Sequence, residues 1–170
     1  MKSVLIVSLL SFVSSLALAS EFKIAVVDLQ KALQSVEAGK KAKASLEKEF
    51  NDKKKVLETE ENSIKKMTED FKKQSLVLSE DAKAKKQNEI QERVLKYREL
   101  FGKSQMEIQG RERELTDPII QKLKGVVEEM GNKKGYTMIV EKNENAILFS
   151  AAKEDLTEEV IKEFNKKPNG

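Results

Sequence analysis

Two apolar, strand-like segments lie more than a hundred residues apart, and this separation constrains the fold more than any other feature of the sequence. The first is "KIAVVDLQKAL" at 23–33, in which residues 24–27 are apolar on both faces of a strand. The second is "YTMIVEK" at 136–142. Strands that are apolar on both faces need cover on both sides. We therefore expect the two segments to meet in one small body from which the intervening chain projects.

The intervening chain has the pattern of long helices. Residues 40–78 contain neither proline nor glycine, and apolar side chains recur at a spacing of roughly 3.5 residues, which is typical of helices that pack along a seam. The outgoing seam comprises Leu46, Phe50, Leu57, Ile64, Met67, Phe71 and Leu78, interrupted by Lys53, Glu60 and Gln74. The returning seam comprises Ile90, Val94, Tyr97, Phe101, Ile108, Leu115, Ile119, Leu123, Val126 and Met130, interrupted by Ser104 and Arg111.

A short break divides this stretch into two halves of similar length. In "LSED" at 78–81, Ser79 is a good N-cap and two acidic residues follow it in the first turn of a new helix. The segments 40–78 and 80–117 each span just under about 60 Å as helices. They predict an antiparallel helical hairpin, which we call the arm (residues 40–117). Polar seam residues lower stability and can fix register, so we expect the arm to bend. An ordinary coiled-coil spacer has the same periodicity.

Gly39 and Pro118 frame the arm, and we predict a hinge at each. Proline cannot donate its N–H, so a helix is expected to end or kink at Pro118. The sequence thus predicts an α+β fold with a body formed by residues 20–39 and 118–170, and an inserted arm. Within the body we expect a helix at 118–131, a strand at 136–141, a turn at 143–145, a third strand at 146–150 and an amphipathic helix within 154–167.

The predicted body is only marginally large enough to be stable on its own. It has about seventy residues and strands that are apolar on both faces, so a monomer would barely offset its conformational entropy. Association of several chains through the strands would supply the missing cover. The residues predicted to form this intersubunit hub are Ile24, Val26, Met138, Val140, Ile147 and Phe149.

The first twenty residues have the anatomy of a secretory signal peptide. Lys2 precedes an apolar stretch at 4–13, and Ala17 and Ala19 form an A-x-A-like cleavage site. We predict a signal peptide over residues 1–19, cleaved after about Ala19, and export of the mature chain. A membrane anchor is the alternative, but four serines interrupt residues 4–19 and the apolar core is short for a membrane span.

The composition argues against an enzyme. The chain contains no cysteine and no histidine, so the usual nucleophile, base and metal-ligand constellations cannot be assembled and no disulfide can form. We expect no catalytic site, metal or cofactor. Charged residues make up 36% of the chain with 32 basic against 29 acidic, which indicates solvated helices rather than a nucleic-acid interface.

Three segments carry a resemblance to a known family. They are "KIAVVDLQKALQSVEAGKKAKASLEKEF", "LTDPIIQKLKGVVEEMGNKKGYTMIVEKN" and "DLTEEVIKEF". In this order they resemble the Skp (OmpH) family of periplasmic chaperones, most specifically around Asp28 and Gly39, from Pro118 to Tyr136, and in the last helix. The middle of the arm matches in periodicity alone.

The resemblance implies both an architecture and a function. In that family three subunits close a small β-barrel, and their helical hairpins surround a cavity that holds unfolded outer-membrane β-barrel proteins without ATP. It implies a periplasmic homotrimer that prevents aggregation of such clients. Members are often strongly basic, whereas this chain is only mildly so. A structural coiled-coil spacer or tether of the cell envelope is the rival interpretation.

The excess positive charge of the arm lies near the predicted turn of the hairpin. Residues 65–86, which we call the tip, hold seven lysines against four acidic residues. A charge run is usually a solvated surface. Attraction to acidic clients, anionic membrane lipids or lipopolysaccharide is the functional alternative. The lysines are Lys65, Lys66, Lys72, Lys73, Lys83, Lys85 and Lys86.

Four apolar residues of the arm point away from the seam at about 100° per residue. They are Leu76 and Val77 beside the tip lysines, and Leu95 and Met106 on the returning helix. Single exposed apolar residues are normal on a protein surface. Because they are spread thinly over a charged arm, however, they suit weak and non-directional binding of unfolded chains. We predict that these four residues line the client cavity.

Overall fold

The computed structural model describes residues 22–142 and 154–167, and this part of the chain contains two strands and four helices. In chain order they are β1 (Ile24–Val27), α1 (Leu29–Ser35), α2 (Glu37–Gln74), α3 (Glu80–Lys134), β2 (Met138–Glu141) and α4 (Thr157–Lys166). The two long helices lie between two strands that pair with each other. The predicted α+β fold with an inserted helical hairpin is confirmed.

The strand β1 is the centre of the body. On one side it pairs in parallel with β2, so that Ile24 lies opposite Met138 and Val26 opposite Val140. On its other side the Val26 N–H donates to the Glu154 carbonyl at 3.0 Å. A parallel pair needs a crossover connection, and here that connection is the whole helical hairpin.

The corner between α1 and α2 lies at Val36 rather than at Gly39. The carboxylate of Asp28 caps α1 by accepting the Lys31 N–H at 2.7 Å. Val36 has extended backbone and is fully buried where the chain turns. The predicted break at Gly39 is wrong, because Gly39 lies inside α2. A Cβ there would lie 1.7 Å from the Leu33 carbonyl oxygen, so glycine permits α1 and α2 to approach closely.

The turn of the hairpin begins earlier than the sequence predicted. α2 ends at Gln74, and residues 75–79 connect it to α3. The predicted cap at Ser79 is confirmed, because its hydroxyl oxygen accepts the Ala82 N–H. Leu76 and Val77 therefore lie in the turn and not on a helical face.

α3 continues through Pro118 from the arm into the body. The predicted helix end at Pro118 is wrong, and so is a separate body helix at 118–131. Proline removes one backbone donor, but the next residue, Ile119, and Leu123 one turn later are buried in the body and hold the helix in place. α3 ends at Lys134, and the left-handed φ of 68° at the following residue, Gly135, is the usual conformation after a helix C-terminus. A hinge at Pro118 stays a prediction.

The apolar core lies where α1, α3 and α4 pack against β1. Its largest fully buried side chains are Phe164, Leu123, Val36 and Val160. They come from α3, α4 and the α1–α2 corner, which ties the C-terminal helix to the root of the arm. The other buried apolar residues are Ala25, Val27, Leu29, Ala32, Ala42, Ile119, Val126, Met130 and Leu156.

Three predicted features lie outside the described residues. They are the signal peptide at 1–19, the turn at 143–145 and the third strand at 146–150, which contains Ile147 and Phe149. They stay predictions.

Candidate functional site

The arm buries very little of its own surface. Between residues 43 and 117 the only buried residue is Ser104. Most seam residues are half-buried between α2 and α3, as the 3.5-residue spacing predicts. Phe50 and Phe101 are different, because 54% and 46% of their surface is exposed. Their predicted burial in the seam is wrong.

Ion pairs across the two helices replace apolar contacts at the polar seam positions. Glu60 pairs with Arg93 at 2.9 Å, and Lys53 on α2 pairs with Glu107 on α3. The bond from Lys53 holds the pKa of Glu107 below its ordinary value. Each such exposed pair contributes little to stability, but together they fix which residues of the antiparallel helices lie side by side.

Arg111 makes a third cross-helix pair near the root of the arm. Its guanidinium contacts Glu49 on α2 at 2.9 Å and Glu114 on its own helix at 2.9 Å. Hydrogen bonds from Glu114 and Glu49 raise the pKa of Arg111 above its ordinary value. Arg111 therefore fills this polar seam position with an ion pair between the two helices.

A groove that the sequence did not predict opens between α2 and α3. It has a volume of about 290 Å³ and lies around Ser104, where a small side chain replaces an apolar seam residue. The sequence feature that could have predicted the groove is Ser104 in the seam, because a small residue opposite large ones leaves space. The lining residues are Phe50, Lys53, Lys54, Leu57, Phe101, Ser104, Gln105 and Ile108.

The four predicted client-contact residues are all exposed, but the structure does not bring them to one place. The exposed fractions are 93% for Leu76, 85% for Val77, 56% for Leu95 and 69% for Met106. Leu95 and Met106 are eleven residues apart on α3, so they share one face about 16 Å apart. Leu76 and Val77 form a separate pair in the turn. Their exposure is confirmed, and their contact with clients stays a prediction.

Most lysines of the tip make no ion pair within the described residues. Lys83 pairs with Glu80 at 2.7 Å. Among the residues that the structure describes, the other six predicted tip lysines make no ion pair within 4.0 Å. The tip therefore presents uncompensated positive charge, whereas the seam charges of the arm are paired.

The sheet has one buried and one open face. Ala25 and Val27 point into the core and are 0% and 3% exposed. On the other face, Ile24 and its partner Met138 are 37% and 50% exposed, and they lie side by side. Val26 and Val140 are half-buried on that face. An open apolar face is present where the sequence predicted an assembly surface, and assembly itself stays a prediction.

Two kinds of site are absent from the described ranges, 22–142 and 154–167. No group of acidic residues there could hold a metal ion. No helix within the same ranges is long and apolar enough to cross a membrane.

Comparisons with known proteins place this architecture in a family. No curated protein sequence matches the chain significantly. A crystal structure from Caulobacter crescentus, described as that of a candidate outer membrane chaperone (OmpH-like), is 14% identical with a TM-score of 0.71. The match covers 84% of this chain and 83% of that one, and it shows that the fold is shared. The family described as "Outer membrane protein (OmpH-like)" matches residues 23–164. The chain belongs to the OmpH-like outer membrane protein family.

Proposed function

We propose that this protein is a periplasmic holdase chaperone that binds unfolded outer-membrane β-barrel proteins between its arms and prevents their aggregation without ATP. Family membership supports a chaperone role in general. The observation that carries the specific proposal is an arm that buries only Ser104 between residues 43 and 117, yet exposes apolar side chains at intervals along a charged surface.

The chemistry of that surface suits an unfolded client. Partial burial of one exposed apolar side chain contributes about 1 kcal/mol, so no single contact can trap the client. Affinity then comes from many contacts that act together. Met106 suits varied partners in particular, because methionine is flexible and polarisable. The surrounding charges keep the empty arm soluble.

The proposed active form is a homotrimer. Its interface is the open apolar face of the sheet, which includes Ile24, Val26, Met138 and Val140, with the predicted third strand beside it. Supporting this, Ile24 and Met138 lie side by side and exposed in the single chain. The segment 40–117 acts as the arm, and the remainder of the mature chain forms the assembly body. Export through the predicted signal peptide places the trimer in the periplasm.

The assembly is tested by native mass measurement. The unmodified protein is expected to be a trimer at micromolar concentration. Val140→Asp places a charge in the interface, which costs several kcal/mol if it is buried unpaired. It should yield unfolded or loosely packed monomer. A stable, folded monomer of the unmodified protein would contradict the proposal.

The chaperone activity is tested by light scattering. A urea-unfolded outer-membrane β-barrel protein is diluted into buffer with and without this protein, in the absence of nucleotide. Suppression of scattering is expected, and a structural spacer of the cell envelope would give none.

The contact residues are tested by a combined change of Leu76, Val77, Leu95 and Met106 to Ser or Gln. It should weaken client binding by more than tenfold and leave mass and helix content intact. Phe22→Ser removes a side chain that is 64% exposed outside the arm, and it should bind clients normally. Undiminished client binding by the fourfold variant would mean that other residues contact the client.

A further inference from the structure

We propose that two adjacent grooves on one flank of the arm bind an extended segment of the client that carries large apolar side chains at alternate positions. This inference rests on the proposed function and deepens it, because it names the feature of the client that the arm recognises. The first groove is the one around Ser104, which we call the mid-arm groove. The second, the root groove, lies beside it on the side of the body and has a volume of about 240 Å³. The residues that line the root groove are Leu46, Glu47, Phe50, Asn51 and Ile108.

Phe50 forms the ridge between the two grooves. Phe50 and Ile108 line both of them, so the grooves lie on the same flank of the arm and share a wall. The side chain of Phe50 is 54% exposed, although it belongs to the seam pattern. A side chain that enters either groove therefore packs against this ring, and an aromatic side chain can meet it in the favourable edge-to-face geometry.

The spacing of the grooves matches the repeat of an extended chain. On α2 the lining residues lie within 46–51 for the root groove and within 50–57 for the mid-arm groove, an offset of about four to five positions. That offset is about 6–7.5 Å along the helix. In an extended segment, side chains on the same side are two residues apart, or about 6.6 Å. Alternate side chains of one segment can therefore occupy both grooves, whereas neighbouring side chains point to opposite sides.

Both grooves are large enough for big apolar side chains. Their volumes are about 290 and 240 Å³, and an apolar cavity of about 150 Å³ already binds benzene. The walls of the mid-arm groove are mainly apolar, with Phe50, Leu57 and Phe101 among them. Water makes few hydrogen bonds beside such walls, so its displacement by an apolar side chain strengthens binding.

The rim supplies charges that complement the backbone of an extended segment. The charged residues that line the mid-arm groove, Lys53 and Lys54, are both basic. Lys54 pairs with Glu58 at 3.7 Å in an exposed pair on α2, so its ammonium group can turn toward the carbonyl oxygens that an extended segment leaves unpaired. The amide side chains of Asn51 and Gln105 also line the grooves, and they can both donate to and accept from the same backbone.

Alternation of apolar and polar side chains is the pattern of a transmembrane β-strand. The strands of outer-membrane barrels place apolar residues on every second position, so an unfolded client contains many segments with large apolar side chains two residues apart. The grooves thereby recognise the future strands of the client while these are extended and unpaired.

Binding of short labelled peptides to the purified protein, measured by fluorescence anisotropy, tests the proposal. One peptide has phenylalanine alternating with threonine and glutamate, and the second has the same composition with its phenylalanines in adjacent pairs. The alternating peptide is expected to bind at least fivefold more tightly, because only this peptide can fill both grooves at once. Equal binding of the two peptides, or no detectable binding of the alternating peptide at millimolar concentration, would overturn the proposal.

Two substitutions remove the grooves by opposite means. Ser104→Leu fills the mid-arm groove and restores an apolar seam residue, so helix content should be kept while the affinity for the alternating peptide falls at least fivefold. Phe50→Ser removes the shared wall and should cause the same loss. Val56→Ser is the matched control, because Val56 is 53% exposed on the same helix and lines neither groove. It should change the affinity by less than twofold, and a loss as large as that of Phe50→Ser would contradict the proposal.

Other occupants of the grooves give different results. If the amide of N-acetylphenylalanine binds as tightly as the alternating peptide, the grooves hold small aromatic molecules and the proposal fails. If Ser104→Leu lowers the native mass of the protein, the grooves join copies of this chain and the proposal also fails. Light scattering on the same samples tests the proposed function separately. Protein that suppresses scattering but does not distinguish the peptides refutes this inference alone, and protein that distinguishes them without suppressing scattering refutes the proposed function alone.

Discussion

Phe164 in the body and Phe50 in the arm are the same residue type in opposite environments. Phe164 is 1% exposed and packs among buried residues of α1, α3 and β1, whereas Phe50 is 54% exposed on the flank of a groove. The contrast extends to whole regions, because Ser104 is the only buried residue between 43 and 117. The body is thus held by burial, and the arm is held by a shallow seam and paired charges.

The difference teaches how one chain combines a stable anchor with an adaptable surface. Full burial of a large apolar side chain contributes about 1.5–3 kcal/mol, whereas an exposed ion pair contributes about 0–1 kcal/mol. Regions with few buried contacts open at low free energy. An arm built this way can rearrange along its length while the body stays folded.

The largest difference in stability is expected between the alanine variants of the two phenylalanines. Phe164→Ala is expected to cost about 3–5 kcal/mol, because it leaves a cavity in the core. Phe50→Ala should cost less than about 1.5 kcal/mol, since its ring is already half in water. Urea unfolding followed by far-UV circular dichroism, at one fixed protein concentration, measures both. Equal losses would mean that the arm is as tightly packed as the body.

Two glycines provide the next contrast. Gly39→Ala would force a Cβ to within 1.7 Å of the Leu33 carbonyl oxygen, so α1 and α2 must separate. We expect a loss of about 3 kcal/mol, at the upper end of overpacking costs. Gly102→Ala meets no atom within 4 Å and should stabilise α3 by about 0.5–1 kcal/mol. A neutral Gly39→Ala would show that the corner is not tightly closed.

Pro118 joins the two regions, and Pro118→Ala should have a smaller effect. We expect a gain on the order of 1 kcal/mol, below the full propensity difference of about 3 kcal/mol, because the variant also frees the unfolded chain. The chain has no cysteine, so a spin label at Ser75→Cys reports distances between the tips of the proposed trimer. The distance distribution should become narrower. An unchanged distribution would remove Pro118 from the motion of the arm.

The sequence predicted the architecture because periodicity and capping are local signals. The strand at 24–27, the cap at Ser79 and the core positions of α3 were all read from residue spacing. The corner at Val36 was missed, because Gly39 looks like a break until the carbonyl of Leu33 is seen beside it. The predicted helix end at Pro118 is wrong for a related reason. The buried contacts of α3 outweigh one missing hydrogen bond, and these contacts are long-range, so local sequence does not reveal them.

The candidate surfaces were predicted less completely. The angular positions of Leu95 and Met106 were sufficient to predict their exposure, because both lie on a regular helix. Leu76 and Val77 were assigned to a helical face that the chain does not form, since α2 ends at Gln74. The groove beside Phe50 depends on how two helices pack at a small residue. A single helical pattern contains no such information.

The smallest expected effect on stability comes from substitution of one carboxylate in each region. Asp155 in the body accepts hydrogen bonds from the Thr157 hydroxyl at 2.5 Å and the Thr157 N–H at 2.9 Å. These bonds, with Lys142 nearby, hold the pKa of Asp155 below its ordinary value. In the arm, Lys53 lowers the pKa of Glu107 in a partly exposed pair between side chains.

A carboxyl group whose pKa is lower in the folded state stabilises the protein above its unfolded pKa. For Asp155 that contribution is present above about pH 4 and is lost as the pH falls through the folded value. Asp155→Asn should therefore destabilise the protein at neutral pH, and the difference from the unmodified protein should vanish in acid.

Glu107→Gln should also destabilise the protein at neutral pH, but by a smaller amount. High salt should abolish this smaller difference, because ions in solution screen a solvent-accessible pair. The Asp155 difference should persist in high salt, since buried Thr157 supplies its main partner. Urea unfolding at several pH values and two salt concentrations measures both, and equal salt sensitivity would mean that the two carboxylates are held in the same way.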